Sequence, residues 1–329
     1  MMGTSLPKTN ASRVQTISLA GMNRERVLPP AESVGLRSAT LALLTALIWS
    51  GNPVAVSYSV DTLPPVAVAG VRFAIAALFM LVWCRWEGSE LRLRRGQRLP
   101  VLIAGVGLFA QIAAFNVGVM LSNSSHASMM INTFVFWVIV IEHFVTKNDR
   151  ISLPKLAGLL IATVGILLIL SRESAADVPA PHTSDTPTLT GDVVVLVSAL
   201  ILGLKIVYTK HALRRVEPGK LIFWHDVVGM VLFFAYSWLL EEVSFAGFTL
   251  PVVLSLGYQG VLVAGLCFAI QALLLRRHSA SQIAVFSFAT PLFGVLLGVL
   301  FRGDPLSPWL FAAAALVAWG ILLVNLKTP

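Results

Sequence analysis

Long apolar stretches, separated only by short polar hinges, make up almost the whole chain after residue 37. The hydrocarbon core of a bilayer is about 30 Å thick, so a helix that rises about 1.5 Å per residue needs about 20 apolar residues to cross it. Ten stretches are near that length, at residues 39–59, 65–85, 100–121, 124–146, 154–170, 190–210, 219–240, 252–275, 280–301 and 308–326. A soluble protein would leave too much of this apolar surface in water. The sequence therefore predicts an all-α membrane protein with ten transmembrane helices.

The low charge and high hydrophobicity of the chain agree with a membrane protein. Hydrophobic residues make up 57% of the sequence and charged residues 12%, whereas a soluble domain has about 25% charged residues. The formal net charge of +8 comes from short cationic clusters between the helices, not from one basic face, which argues against nucleic acid as a partner. We expect Cys84 and Cys267 to be apolar fillers rather than a disulfide.

Lysine and arginine are distributed unevenly between alternate connections of the helices. One set of connections, together with both termini, carries 20 of them, while the other set carries only Arg172 and Arg302. Because cationic loops stay in the cytoplasm, we predict a multi-pass protein of the cell (inner) membrane with both termini cytoplasmic. Residues 1–36 are expected to form a disordered cytoplasmic tail, and residues 171–187 an outward-facing linker.

The two halves of the chain repeat one another weakly. At an offset of about 153–157 positions, Pro65 aligns with Pro218 and the stretch VGILLIL aligns with WGILLVN. Each half, residues 37–170 and residues 188–327, then holds five helices. Because five is odd, the second copy must enter the membrane from the opposite side, so the two five-helix repeats are inverted. Inverted repeats are typical of secondary transporters, which expose one central site to the two sides in turn.

Several short motifs carry a resemblance to a known family. The sequence WSGN at 49–52, Arg72 in the second helix, Glu142 near the end of the fourth and Pro291 in the ninth make the chain resemble the EamA-domain branch of the drug/metabolite transporter superfamily. The resemblance implies ten helices in two repeats and the export of amino acids or similar small metabolites. Some relatives exchange nucleotide sugars or phosphorylated compounds instead.

Four ionisable side chains fall inside apolar stretches: Arg72, Lys205, His225 and Asp226. Such groups are costly in hydrocarbon, so they are expected to pair or to face an aqueous cavity. Lys205 and Asp226 lie at similar depth on successive helices, so we predict that they pair or share a polar cluster with His225. One hypothesis makes this group a proton-coupling or substrate site. The other has Lys205 reach the cytoplasmic surface while Asp226 neutralises it.

Arg72 also has two interpretations. Its rigid donor fork suits a substrate carboxylate, or it braces the first two helices by donating to backbone carbonyls or to Asn52. For Glu142 we expect a solvated helix end that is salt-linked to Lys147, with a coupling site as the alternative.

Amide and aromatic side chains deeper in the helices predict a cavity for a small amphipathic solute. The predicted substrate-binding residues are Trp49, Asn52, Arg72, Gln111, Asn116, Asn132, Trp137, Gln259 and Gln271. Pro291 is a candidate hinge, because proline frees a backbone carbonyl one turn earlier. Glycines such as Gly158 are expected to permit close helix approach.

Motifs for other activities are missing from the sequence. There is no GxxxxGK[ST] loop for ATP, no metal-spaced cluster and no nucleophile with its base. We therefore expect no enzyme, cofactor or metal, but a monomeric or homodimeric secondary exporter of small metabolites with protons as the candidate coupling ion. The alternatives are a nucleotide-sugar or phosphate-type antiporter, or a lipid-linked flippase, of the same fold. These require more cations around the cavity than Arg72 and Lys205 alone.

Overall fold

The computed structural model describes residues 33–122, 127, 130–147, 149, 151–173, 188–294 and 308–325. Throughout these residues the regular secondary structure is helical. Most of the predicted tail at 1–36 and of the predicted linker at 171–187 lies outside the described residues, as does Arg302.

The helices occupy the stretches in which the sequence predicts them. In chain order they are α1 Leu36–Val60, α2 Pro65–Glu87, α3 Arg95–Leu121, α4 Phe134–Thr146, α5 Leu153–Glu173, α6 Leu189–Ala212, α7 Pro218–Leu240, α8 Leu250–Arg277, α9 Ala280–Gly294 and α10 Pro308–Asn325. Helices α1, α2, α3, α6, α7 and α8 are long and apolar enough to span a bilayer, which confirms the prediction of an all-α membrane protein. The apolar helices found in α4, α5, α9 and α10 are shorter within the described residues, so the count of ten spans stays a prediction.

Two prolines set the starts of corresponding helices. Pro65 begins α2 and Pro218 begins α7, as the sequence alignment of the two halves predicts. Proline suits this position, because the first N–H groups of a helix have no intrahelical acceptor and the fixed φ of proline is already helical. Helix α2 ends where Gly88 takes a left-handed φ of 71°, a conformation that costs glycine little.

The WSGN motif marks a break in α1. The helix resumes at Asn52 after a turn at Gly51, because Pro53 has no N–H to donate to the preceding turn. A Cβ added at Gly51 would lie 2.7 Å from the hydroxyl oxygen of Tyr258 in α8. Glycine at this turn therefore lets α8 approach α1 closely, next to Asn52.

Helix packing brings the two halves of the chain together. The most extensive contacts between the halves join α5 to α10, α3 to α6 and α2 to α7. Further contacts join α1 to α8, α3 to α7, α2 to α8, α4 to α6, α1 to α9 and α4 to α9. When α1–α5 are exchanged in order with α6–α10, these pairs map onto one another, whereas a smaller contact between α5 and α9 has no counterpart of similar extent.

Helices α5 and α10 approach so closely that glycine is required on both. A Cβ added at Gly158 would lie 2.6 Å from the carbonyl oxygen of Gly320, and one added at Gly320 would lie 2.5 Å from the carbonyl oxygen of Gly158. A backbone carbonyl cannot rotate away as a side chain can. The expectation that Gly158 permits close helix approach is therefore confirmed.

Candidate functional site

A cavity of about 100 Å³ lies between the two halves, and most helices of the bundle contribute to its wall. Six of the nine predicted substrate-binding residues line it, namely Trp49, Asn52, Arg72, Gln111, Asn132 and Gln271. The rest of the lining is largely apolar and comprises Pro53, Ile112, Phe115, Ile131, Phe134, Leu202, Ile206, Val263, Phe268, Ser287 and Thr290. The cavity thus combines an apolar wall with a few polar groups, as solute sites commonly do.

The Arg72 guanidinium is buried in the cavity wall, and two of its three nitrogens have no hydrogen-bond partner among the described residues. The side chain is only 1% exposed, and neither Nε nor Nη1 has a hydrogen-bond acceptor among the described residues. The ring centroid of Phe73 lies 5.2 Å from the guanidinium carbon, a cation–π distance. The Oδ1 atom of Asn52, on the same cavity, also lacks a partner. The predicted brace between Arg72 and Asn52 is therefore not formed through these atoms.

Lys205 makes a different contact from the predicted one. Among the described residues it forms no direct ion pair with Asp226; its Nζ donates to Oε1 of Gln111 at 3.1 Å. The same Nζ lies 4.8 Å from the ring centroid of Phe268, a cation–π distance. Gln111 in turn donates from Nε2 to Oγ of Ser198 at 3.1 Å. Both ends of the Gln111 amide are thus occupied by α6, which fixes its orientation in the cavity wall.

His225 and Asp226 form a buried polar unit on α7. Nδ1 of His225 lies 2.9 Å from Oδ1 of Asp226, while Oδ2 of Asp226 has no partner among the described residues. The charges of Lys205 and Arg72 act on the Asp226 carboxyl without touching it. Of the two predicted arrangements, the direct Lys205–Asp226 pair is absent and the shared neighbourhood with His225 is present.

Phe268 is the central residue that sequence reasoning missed. Its ring lies edge-on to Trp49 at 6.4 Å and edge-on to His225 at 5.8 Å, and it stacks on Phe73 at 6.3 Å. A single phenylalanine in an apolar helix carries no distinguishing signal of its own. Its position one helical turn before Gln271 was the one available hint, since residues three apart share a face.

Three predicted substrate-binding residues lie away from the cavity. Nδ2 of Asn116 donates to the carbonyl oxygen of Pro65 at 2.8 Å, and Nε2 of Gln259 donates to the carbonyl oxygen of Ala55 at 3.1 Å. Both amides therefore connect neighbouring helices, the other common use of polar residues in a membrane. Trp137 is 39% exposed on the outside of the bundle.

Pro291 lies in α9 directly after Thr290, a lining residue. Its role as a hinge stays a prediction.

The expectation of a solvated Glu142 is wrong. Its side chain is fully buried, and its two oxygens accept from the backbone N–H groups of Ala280 at 3.1 Å and Ser281 at 2.8 Å. Lys147, the predicted partner, is exposed. A carboxylate at a helix N-terminus satisfies free N–H groups and is favoured by the helix dipole, so Glu142 caps α9.

A second glutamate makes the same contact elsewhere in the bundle. Glu241, which follows α7, accepts from the backbone N–H of Val66 at 2.9 Å and of Ala67 at 2.8 Å, at the start of α2. Each of these glutamates thus joins the end of one helix to the beginning of another.

The chemistry available to the cavity follows from its lining. Arg72 is the only ionisable residue among the described residues that line it, and the amides beside it can donate or accept. Within the described part of the chain, no group of three or more His, Cys, Asp or Glu side chains is placed to hold a metal ion. The arrangement suits the binding of one anionic group attached to an apolar or amphipathic body.

Comparisons with known proteins identify the family. The EamA-like transporter family matches residues 36–171 and again residues 189–326. Similar proteins include the uncharacterized transporter YoaV of Bacillus subtilis, 25% identical over 84% of this chain and 92% of its own length. Another is a probable amino-acid metabolite efflux pump of Escherichia coli, 22% identical over 87% of this chain and 94% of its own length.

A solved crystal structure has the same fold. It superimposes with a TM-score of 0.71 at 19% sequence identity and covers 88% of this chain and 97% of the other. The family match extends over most of the sequence, and the apolar helices are those of a multi-pass membrane protein. The chain therefore belongs to the EamA-like transporter family, within the drug/metabolite transporter superfamily.

Proposed function

We propose that the protein is a secondary transporter of the cell (inner) membrane that exports amino acids or similar small carboxylates by alternating access. The observation that carries this proposal is the buried guanidinium of Arg72 in the cavity wall, whose Nε and Nη1 have no acceptor among the described residues. Buried N–H groups without acceptors are unfavourable, and in a native protein such unsatisfied groups call for an explanation, of which a functional role is one. A carboxylate that enters the cavity would supply the missing acceptor, and the guanidinium fork can hold it through two hydrogen bonds.

The neighbouring lining residues suit the rest of an amino acid. Oδ1 of Asn52 is an acceptor without a partner in the same cavity, so it can receive an N–H from the ammonium group. Phe268 and Trp49 add aromatic surface to the lining of the same cavity. The names of the efflux-pump relatives agree with this substrate class.

Two inverted five-helix repeats, residues 37–170 and 188–327, would give the cavity access to both sides in turn. Three observations support this architecture. The family matches the chain twice, most of the helix contacts between the halves map onto one another when the halves are exchanged, and the aligned prolines Pro65 and Pro218 begin corresponding helices.

A phosphate-type antiporter or lipid-linked flippase is less well supported. Phosphorylated solutes carry two or more negative charges and are usually held by several cations. Among the described lining residues only Arg72 is cationic. Lys205 is engaged by Gln111 and does not line the cavity.

Counterflow in proteoliposomes tests the substrate and the role of Arg72 together. We expect neutral amino acids to exchange, whereas matched amines that lack the carboxylate do not. Arg72→Lys should weaken the apparent affinity by about tenfold or more, because lysine keeps the charge but not the two-point hydrogen bonding. Arg85→Lys, an exposed change on the same helix, is the control. Normal affinity in Arg72→Lys would contradict a bidentate role, and an imposed pH gradient would reveal proton coupling.

A further inference from the structure

A second pocket, away from the central cavity, lies at the connection between α2 and α3. It has a volume of about 390 Å³ and is lined by Glu90, Arg92, Leu93, Arg94, Arg95 and Arg98. Four arginines thus face one glutamate, and within the described part of the chain none of the four forms an ion pair. Because α2 and α3 are both long enough to span a bilayer, their connection lies at a membrane surface.

The backbone of this connection is held in place, so the arginines are presented by a built structure. Nε1 of Trp224 donates to the carbonyl oxygen of Leu91 at 2.7 Å, and Nε2 of Gln97 donates to the carbonyl oxygen of Arg215 at 2.8 Å. Both bonds tie the connection to α7 or to the turn before it. The ordering cost of a flexible loop is therefore largely met before any ligand binds.

An apolar strip continues from the arginines along α3. Leu99 is 63% exposed and Leu102 is 50% exposed on the outside of the bundle. Leu99 lies four residues after Arg95, and Leu102 lies four residues after Arg98, so each pair shares a helix face. Trp86, at the end of α2 and four residues before Glu90, is 84% exposed, and tryptophan is enriched at membrane interfaces. A cationic pocket followed by exposed apolar surface matches a molecule with an anionic head and acyl chains.

We propose that this pocket binds the phosphate headgroup of an anionic phospholipid, with the acyl chains along Leu99 and Leu102. Clusters of arginine and lysine beside a transmembrane helix attract anionic lipids, at roughly a fivefold gain in binding for each cation near the surface. Arginine also donates to phosphate oxygens through two N–H groups at once. This inference is independent of the transported solute.

Native mass spectrometry of the purified full chain in mixed micelles tests the proposal. We expect the wild type to retain phosphatidylglycerol in preference to phosphatidylcholine. Arg95→Gln combined with Arg98→Gln should lower the retained phosphatidylglycerol by about tenfold or more, whereas retention of phosphatidylcholine stays the same. The matched control is Arg276→Gln combined with Arg277→Gln, which removes two exposed arginines from the end of α8.

The outcomes separate a specific site from general electrostatic attraction. An equal loss in the two double variants, or no loss in either, would overturn the proposal. Displacement of the lipid by millimolar inorganic phosphate alone would mean that the pocket takes free phosphate, and would overturn the assignment to lipid. Persistence of the lipid under phosphate, with a loss confined to the α3 variant, supports it.

Discussion

At the scale of single residues, Asp226 stands out because one of its carboxylate oxygens has no hydrogen-bond donor among the described residues. Oδ2 of Asp226 is buried without a donor, although the charges of Lys205 and Arg72 act on the same carboxyl. If Asp226 only neutralised Lys205, a direct contact between them would be expected, yet Lys205 bonds to Gln111 instead. The geometry therefore shows no direct neutralising contact, and a role of Asp226 in transport stays a prediction.

Asp226→Asn is the residue-scale prediction. The amide keeps the size and the contact to His225 but removes the negative charge and the capacity to exchange a proton at this position. We expect transport to fall at least tenfold while the amount of protein in the membrane is unchanged. The measurement is counterflow per mole of reconstituted protein, with Glu242→Gln, an exposed carboxylate, as the control. Unchanged counterflow would show that Asp226 has a structural role only.

The sequence predicted the polar residues of the cavity better than the aromatic ones. Arg72, Asn52 and Gln111 stand out because polar groups are costly within apolar helices. Phe268 does not stand out, because its role depends on how α8 is rotated against α1 and α7. The contact of Lys205 with Gln111 was missed for the same reason: depth along a helix can be counted from sequence, whereas the facing side of a neighbouring helix cannot.

At the scale of helices, glutamate caps link elements that are distant in sequence. Glu142→Ala would leave the N–H groups of Ala280 and Ser281 buried without acceptors, at a cost of about 1–3 kcal/mol for each unsatisfied group. We expect a clear fall in the midpoint of thermal unfolding in detergent. The midpoint should fall less in Glu142→Gln, because glutamine retains one acceptor oxygen. Equal midpoints for the wild type and Glu142→Ala would show that the cap contributes nothing.

The contact between α5 and α10 gives a second prediction at this scale. In Gly158→Ala the new Cβ would lie 2.6 Å from the carbonyl oxygen of Gly320, so the two helices must separate. Overpacking of this kind costs about 1–3 kcal/mol. Gly257→Ala is the matched control, because nothing lies within 4 Å of the added atom. The midpoint of thermal unfolding should fall in Gly158→Ala and should not fall in Gly257→Ala.

Helix positions were largely predictable, but their internal irregularities were not. Proline and apolar length located the starts of α2 and α7. The π-helical stretch Tyr258–Cys267 within α8 was not predicted, because its apolar sequence resembles that of an ordinary membrane helix. A π-helical turn is stabilised by the packing around it rather than by the propensities of its residues, so it emerges only once the neighbouring helices are in place.

At the scale of the whole molecule, the arrangement in the membrane is open to a direct test. The cationic connections predict that the α2–α3 turn is cytoplasmic and that the α7–α8 turn faces outward. In intact cells a membrane-impermeant maleimide should label Glu242→Cys and should not label Glu90→Cys; both positions are exposed. The native thiols of Cys84 and Cys267 are buried and give little background. The reverse labelling pattern would contradict the predicted orientation, and labelling of both positions would contradict the inverted repeats, because equivalent turns of inverted repeats lie on opposite sides of the membrane.

The unsatisfied Nε and Nη1 of Arg72 also have a practical consequence. A ligand that binds only the folded state stabilises it by about 2.7 kcal/mol at one hundred times its dissociation constant. A solute that relieves a desolvated charge should do so far more than one that merely fills space. Candidate cargo can therefore be ranked by how much each compound raises the melting temperature of the detergent-solubilised carrier, before any vesicle is prepared. In Arg72→Met the same compounds should no longer differ in how much they raise the melting temperature.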